Sequence, residues 1–143
     1  MFLASYRTLK KHGVVGLNQR NISLIQNLNR RELYPLVDNK LKTKALAQEA
    51  GIPVPQMLAV IEEQHSAEEI LTQVPRDNGF VIKPGRGSGG KGVLVLTKQK
   101  VDRKGVVRYQ KSNGRLIERA DVLHHISNII SGLYSLGGTR DTA

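Results

Sequence analysis

A glycine-rich stretch with positively charged residues in and beside it offers the clearest chemistry in this sequence. Five of the eight residues 85–92 are glycine, Lys83 precedes them, and Arg86 and Lys91 lie among them. Glycine permits positive φ and close approach of the backbone to another group. Consecutive backbone amides in such a loop form a concave site for anions. The stretch therefore predicts a loop that covers phosphate groups.

Two apolar runs predict that the glycine loop, residues 84–92, connects two strands. Residues 80–82 precede it and residues 93–96 follow it, and both runs consist of apolar residues, mostly β-formers. Lys83 ends the first run, so its ammonium group can reach a phosphate held beneath the loop. The predicted order is a strand ending in lysine, a mobile loop and a returning strand.

Other phosphate-binding motifs fit less well. Gly85, Gly87 and Gly90 match the spacing of the dinucleotide fingerprint, and residues 85–91 match the start of a P-loop. Both motifs need a helix directly after the loop, whereas an apolar β-rich run follows here. A protein-kinase loop does join two strands, but its lysine lies on a later strand. A glycine-rich hairpin loop without a ligand is the remaining alternative.

The rest of the sequence predicts an α+β fold in which helices flank an antiparallel sheet. Asn113-Gly114 is a strong signal for a hairpin between two short strands. An apolar stripe predicts the last helix, capped by Asp121 at its start and ended by Gly137-Gly138. Two further helices are expected: one over 39–50, capped by Asp38, and one over 67–74, opened by a Ser66–Glu69 capping box. A buried strand is expected over 56–61 and a turn at 77–79. Residues 98–105 are expected to form a charged connection, and residues 139–143 no defined element.

Composition narrows the class of partner. The chain of 143 residues has 22 Lys and Arg against 12 Asp and Glu, a net charge of +10, which favours an anionic partner such as a nucleotide, a nucleic acid or a membrane surface. It has no cysteine, which excludes disulfides and thiolate metal sites. No apolar run approaches the roughly 18 residues of a membrane helix. We expect a cytoplasmic protein that does not enter the membrane.

Several motifs, taken together, resemble those of the ATP-grasp superfamily. The resemblance is to its alpha-L-glutamate ligase-like branch, which is related to the ribosomal-protein glutamate ligases. It extends over most of the chain and is more specific than a single glycine loop would be. The motifs are GLNQRN at 16–21, NRR at 29–31, LYPLVDNK at 33–40, AGIPVP at 50–55 and FVIKPGRGSGG at 80–90.

The resemblance implies an ATP-grasp-like fold with a lid sheet. Residues 1–38 would be an N-terminal segment, and residues 39–143 a partial ATP-grasp domain with its lid loop at 84–92. Lys40 and Lys83 match the two lysines that contact ATP phosphates in such enzymes. The implied ATP-binding set is Lys40, Lys83, Gly85, Arg86, Gly87, Ser88, Gly89, Gly90 and Gly92.

The resemblance also implies a reaction. Such ligases transfer the γ-phosphate of ATP to a carboxylate, and an amine then attacks the acyl phosphate to form an amide. Magnesium neutralises the phosphates during the transfer, and glutamate and an acidic peptide or protein are the implied substrates. The family's adenine-holding hinge and metal-binding Asp/Glu/Asn set match nothing in this sequence up to Ala143. We therefore expect the domain to be incomplete, the metal ligands to lie outside the chain, and the chain alone to have weak or no ligase activity.

Two other classes of function use the same positive charge. The basic residues of 98–115, with Tyr109 as a stacking platform, would suit a nucleic-acid-binding module, although few aromatic residues and no recognised motif support it. A non-catalytic interaction module is the third class. His124 and His125 are expected to be surface histidines, because adjacent helical residues point about 100° apart and do not share a metal well.

Overall fold

The computed structural model of the protein describes residues 5–75, 78–135 and 137–143 and confirms the predicted α+β fold. The chain divides into two compact units, Met1–Val37 and Asp38–Ala143. Asp77 of the expected turn at 77–79 lies outside the described residues. No helix in the described part of the chain is both long enough and apolar enough to cross a membrane.

The first unit consists of short helical segments. Helix α1, Tyr6–Lys11, is capped by Ser5, whose hydroxyl accepts a hydrogen bond from the Thr8 amide at 3.2 Å. Every described residue of this unit is exposed or half-buried. The later segments are α2 at Leu17–Gln19, a π-helical continuation at Arg20–Gln26, a 3-10 turn at Arg31–Leu33 and α3 at Tyr34–Asp38.

The second unit begins with helix α4, Lys40–Glu49. Its cap is Asn39, whose side-chain oxygen accepts from the amides of Leu41 at 2.9 Å and Lys42 at 3.2 Å. The predicted cap, Asp38, was one residue too early. The helix ends before Gly51, whose φ of +69° is the left-handed conformation that glycine commonly adopts after a helix.

The predicted strand over 56–61 is wrong, because these residues belong to no strand or helix. At the end of this segment, the Ile61 amide donates to the Ala143 carbonyl at 2.8 Å, and the Ala143 amide donates to the Ile61 carbonyl at 2.9 Å. Helix α5 follows at Gln64–Gln73, with Glu63 as its cap. The expected capping box was also wrong, since the Ser66 hydroxyl donates to the Glu63 carbonyl at 2.8 Å instead.

Four antiparallel strands form one sheet in chain order. The sequence predicted the pairing of the first two strands and that of the last two, but not the pairing between β2 and β3. Val81 lies opposite Val95, Tyr109 lies opposite both Gln99 and Ile117, and a bulge interrupts β2 between Leu96 and Lys98. Strand β2 extends into the residues expected to form a charged connection. The strands are β1 at Phe80–Ile82, β2 at Leu94–Val101, β3 at Val107–Lys111 and β4 at Leu116–Glu118.

Helix α6, Arg119–Ile130, is capped by Glu118 rather than by the predicted Asp121. Asp121 is the third helical residue and accepts from the Glu118 amide at 2.9 Å, so the two residues form a reciprocal capping box. The helix ends earlier than predicted, because Gly132 takes φ +88° directly after Ser131.

The core lies between one face of the sheet and helices α5 and α6. Phe80 and Tyr109 meet edge to face, with ring centroids 6.0 Å apart. Because buried Ile82 ends β1 and buried Leu94 begins β2, both ends of the glycine loop are attached to the core. The core consists of Ile61, Ala67, Leu71, Val74, Phe80, Ile82, Leu94, Leu96, Tyr109, Val122, Ile126, Ile129 and Ile130.

Candidate functional site

The glycine loop has a buried base and an exposed tip. Pro84, Gly85 and Gly87 are buried, whereas residues 88–91 are exposed. Within this base, Gly87 forms an isolated antiparallel β-bridge with Ser135. The loop is therefore anchored at its first residues and projects from the sheet at residues 88–91.

Lys40 lies against this base, although the sequence separates it from Gly87 by 47 residues. Its backbone amide donates to the Gly85 carbonyl at 2.9 Å, and its ammonium group donates to the Gly87 carbonyl. An ammonium group has three donors, so two remain for an anion. The contact also accounts for a cation in the first turn of α4, where the helix dipole alone would disfavour it.

Gly89 and Gly90 provide the conformational freedom of the tip. Their φ angles are +62° and +73°, and a Cβ atom at either position would meet nothing within 4 Å. Among the described residues, neither amide has a protein acceptor. The tip therefore presents two unpaired amides in left-handed conformations, as an anion-binding loop requires.

Gly85 and Gly87 serve close packing instead. A Cβ atom at Gly87 would lie 2.3 Å from Cγ of Pro84, and one at Gly85 would lie 2.7 Å from Oγ1 of Thr142. Neither glycine has positive φ. The base thus needs glycine for space, while the tip needs it for conformation.

The remaining charged and polar residues of the predicted set are exposed. Lys83 directly follows β1, and its side chain makes no hydrogen bond or ion pair within the described chain, so its ammonium group is available to a ligand. The side chains of Arg86, Ser88 and Lys91 are likewise exposed around the loop. The structure brings Lys40 onto the loop and leaves Lys83 free at its entrance.

His125, expected at the surface, is half-buried and holds the far end of the loop. Its Nε2 lies 2.9 Å from the Gly92 carbonyl, and its ring centroid is 5.6 Å from that of Tyr134. A Cβ atom at Gly92 would lie 2.6 Å from the Tyr134 ring. Gly92 is therefore a packing position as well as one with φ +75°. No local pattern in the sequence pairs a helical histidine with this loop.

The chain end, which showed no sequence pattern, packs against the loop base. The Gly85 amide donates to the Thr142 carbonyl at 2.9 Å. The Arg86 amide donates to both carboxylate oxygens of Asp141, at 3.1 and 2.9 Å. Residues 141 and 142 thus belong to the candidate site, and sequence reasoning did not place them there.

Magnesium does not fit the donors that the structure describes. Among these residues there is no group of three or more Asp, Glu, His or Cys side chains that could hold a metal ion, and hard cations need several converging oxygens. A cavity of about 390 Å³ occurs in the first unit, lined by Asn21, Ile22, Ile25, Gln26, Arg31 and Tyr34. None of the predicted phosphate-binding residues lines it.

Comparison with known protein families identifies a match over most of the chain. The family model described as sugar-transfer associated ATP-grasp matches residues 19–143. This range includes helix α4, the glycine loop and the whole sheet. Searches of curated proteins and of solved structures found no match.

Proposed function

Because the chain belongs to the sugar-transfer associated ATP-grasp family, we propose that its glycine loop binds the phosphates of ATP for a ligase or transferase reaction. One observation carries the proposal: Lys40 and residues 85–87, distant in sequence, meet at the base of a loop whose tip amides have no acceptor among the described residues. The glycine pattern of the sequence singled out residues 85–87, and the resemblance to ATP-grasp enzymes singled out Lys40. The family match also supports ATP binding.

Each part of the proposed site has a separate role. The amides of Gly89 and Gly90 donate to phosphate oxygens, since they have no protein acceptor within the described chain. The ammonium groups of Lys40 and Lys83 balance the phosphate charge, and hydrogen bonds to an ionised acceptor are about twice as strong as neutral ones. Arg86 and Lys91 supply further positive charge at the rim.

The proposed reaction is that of the carboxylate–amine ligases. ATP supplies a phosphoryl group to a substrate carboxylate, and an amine then displaces phosphate to leave an amide. Glutamate is the proposed amino acid, on the resemblance to the glutamate ligases, and an acidic peptide or protein is the proposed second substrate. The family match supports the ATP-dependent step and leaves the carboxylate open. The use of ATP makes the cytoplasm the proposed location.

Titration calorimetry with Mg-ATP, inorganic tripolyphosphate and adenosine tests the proposal. We expect Mg-ATP to bind with a dissociation constant below about 1 mM, or about −4 kcal/mol, and tripolyphosphate to compete with it. Adenosine should compete much less, because the glycine loop contacts phosphate. Competition by adenosine but not by tripolyphosphate would exclude the loop, and no binding of any of the three would overturn the proposed function.

The second candidate function is nucleic-acid binding by the basic hairpin. Residues 98–115 contain one acid, Asp102, and seven bases: Lys98, Lys100, Arg103, Lys104, Arg108, Lys111 and Arg115. However, Tyr109, the expected stacking platform, is only 1% exposed and packs against Phe80. A base cannot stack on a ring in the core, so the charge remains without the aromatic contact.

An oligonucleotide titration separates the two candidates. We expect single-stranded DNA to bind at physiological salt with a dissociation constant above about 1 μM, the range of non-specific electrostatic binding. The affinity should fall steeply as salt is raised, because counterion release drives such binding. A dissociation constant below about 1 μM at physiological salt would favour a nucleic-acid-binding module. Fluorescence anisotropy at several salt concentrations provides the measurement.

A further inference from the structure

Asp141 is a buried carboxylate at the base of the glycine loop. It is 5% exposed, and among the described residues it has no Lys, Arg or His partner. Burying a charge without compensating contacts is costly. The surroundings of Asp141 must therefore supply hydrogen bonds in place of a counter-charge.

Two backbone amides supply them. The Arg86 amide approaches both carboxylate oxygens, at 3.1 and 2.9 Å, and the Thr142 amide donates to Oδ1 at 2.8 Å. Hydrogen bonds from backbone amides to an ionised carboxylate are charge-assisted and short. Asp141 thus occupies an amide of the loop base as an anion would.

The approach of Asp141 depends on the first glycine of the loop. A Cβ atom at Gly85 would lie 3.1 Å from Oδ1 of Asp141 and 2.7 Å from Oγ1 of Thr142. The Gly85 amide donates to the Thr142 carbonyl at 2.9 Å, and the Gly85 carbonyl accepts from the Lys40 amide at 2.9 Å. The residues before the loop tip are therefore held on one side by Lys40 and on the other by the segment of Asp141.

We propose that Asp141 is a positioning residue for phosphate binding. It fixes the Arg86 amide at the loop base, and this position orients the amides of Gly89 and Gly90 for phosphate. The Arg86 amide itself donates to Asp141 and is not a phosphate ligand. This inference rests on the proposed function, because it assigns a role within the same site. It extends that site to the chain end, where neither sequence pattern nor resemblance placed a functional residue.

The substitution D141N tests the role with little change of volume. The amide nitrogen of asparagine cannot accept a hydrogen bond, so the Arg86 amide keeps one acceptor instead of two and loses the ionised one. We expect the dissociation constants of Mg-ATP and tripolyphosphate to rise about tenfold, as for the loss of one charge-assisted hydrogen bond. By NMR hydrogen exchange, the Arg86 amide should exchange about tenfold faster, with Val81 and Val95 unchanged.

The matched control is D102N. Asp102 also accepts two backbone amides, those of Lys104 at 2.8 Å and Val106 at 3.0 Å, but in the turn between β2 and β3. This variant removes the same charge and should change neither tripolyphosphate binding nor Arg86 exchange. Equal weakening by D102N and D141N would overturn the proposal, because the loss of affinity would then not depend on the contact between Asp141 and the Arg86 amide.

The remaining outcomes separate this inference from the proposed function. If the unsubstituted protein binds neither Mg-ATP nor tripolyphosphate, both fall. If it binds them and D141N binds equally well, only the role of Asp141 is overturned. The role is also overturned if D141N speeds hydrogen exchange throughout β1 and β2, because Asp141 would then only stabilise the fold in general. Should D141N not fold, G85A tests the same contact from the loop side, with faster Arg86 exchange expected and unchanged exchange overturning the proposal.

Discussion

Replacement of Lys83 by alanine is expected to weaken Mg-ATP and tripolyphosphate binding by about 10- to 100-fold. A hydrogen bond to a charged group contributes about 1.5–3 kcal/mol, and each 1.4 kcal/mol corresponds to a factor of ten in affinity. The side chain of Lys83 is exposed between buried Ile82 and buried Pro84. Its loss should therefore remove charge at the loop entrance without opening a cavity in the core. Titration calorimetry measures the change.

Lys98→Ala is the matched control for Lys83→Ala. Lys98 is an exposed lysine on β2 of the same sheet, and its replacement lowers the net charge of the protein equally. If phosphate binding depends on Lys83 itself, Lys98→Ala should change the affinity less than twofold, within the range of a screened surface charge. Equal losses in both variants would assign binding to the general positive field. Unchanged binding in Lys83→Ala would exclude a phosphate contact.

The glycine loop could be predicted because its signals are local. The strand before it, the lysine at the strand end and the glycines all lie within residues 80–96, and the returning strand is adjacent in sequence. A short antiparallel connection leaves few alternative partners, so the register of β1 on β2 follows from the pattern of buried residues. Lys40 is different, because its contact with Gly87 crosses 47 residues, and only the resemblance to ATP-grasp enzymes suggested it.

The packing of the last residues could not be predicted, because their contacts are made with residues far away in the sequence. Its contacts join Asp141 to Arg86 and Ala143 to Ile61, and no periodicity relates residues so far apart. The strand predicted over 56–61 was wrong for the same reason, because a local apolar pattern does not show which distant residues a segment contacts. Apolar composition suggested burial, but Met57 and Leu58 are 46% and 48% exposed, and only Ile61 is buried.

Helix starts were misplaced by a few residues for a chemical reason. Asp and Asn side chains satisfy free amides from the cap position, but Asp also fits the third helical position in a capping box. The cap is the residue whose backbone is not helical. Asn39 with ψ 107° and Glu118 with ψ 164° are those residues, so they cap the two helices. The sequence shows which residues can cap a helix, and the backbone selects one.

Replacement of Gly132 by alanine is expected to have the largest effect on stability. Gly132 is buried with φ +88°, and a Cβ atom there would lie 2.3 Å from the carbonyl oxygen and 2.6 Å from the carbonyl carbon of Thr139. These are backbone atoms, which cannot move aside as a flexible side chain would. Positive φ at alanine and steric displacement together should lower the free energy of unfolding by about 2–4 kcal/mol. Urea denaturation measures it.

Gly137→Ala separates the two contributions. Gly137 has φ +90°, but a Cβ atom there would meet nothing within 4 Å, so its replacement should cost only the conformational penalty, about 1–2 kcal/mol. Only Gly132→Ala should also displace Thr139 and the segment after it, and so raise the exchange rate of the Arg86 amide that Asp141 holds. Equal losses of stability, with no change at Arg86, would show that the turn at Gly132 does not position the loop base.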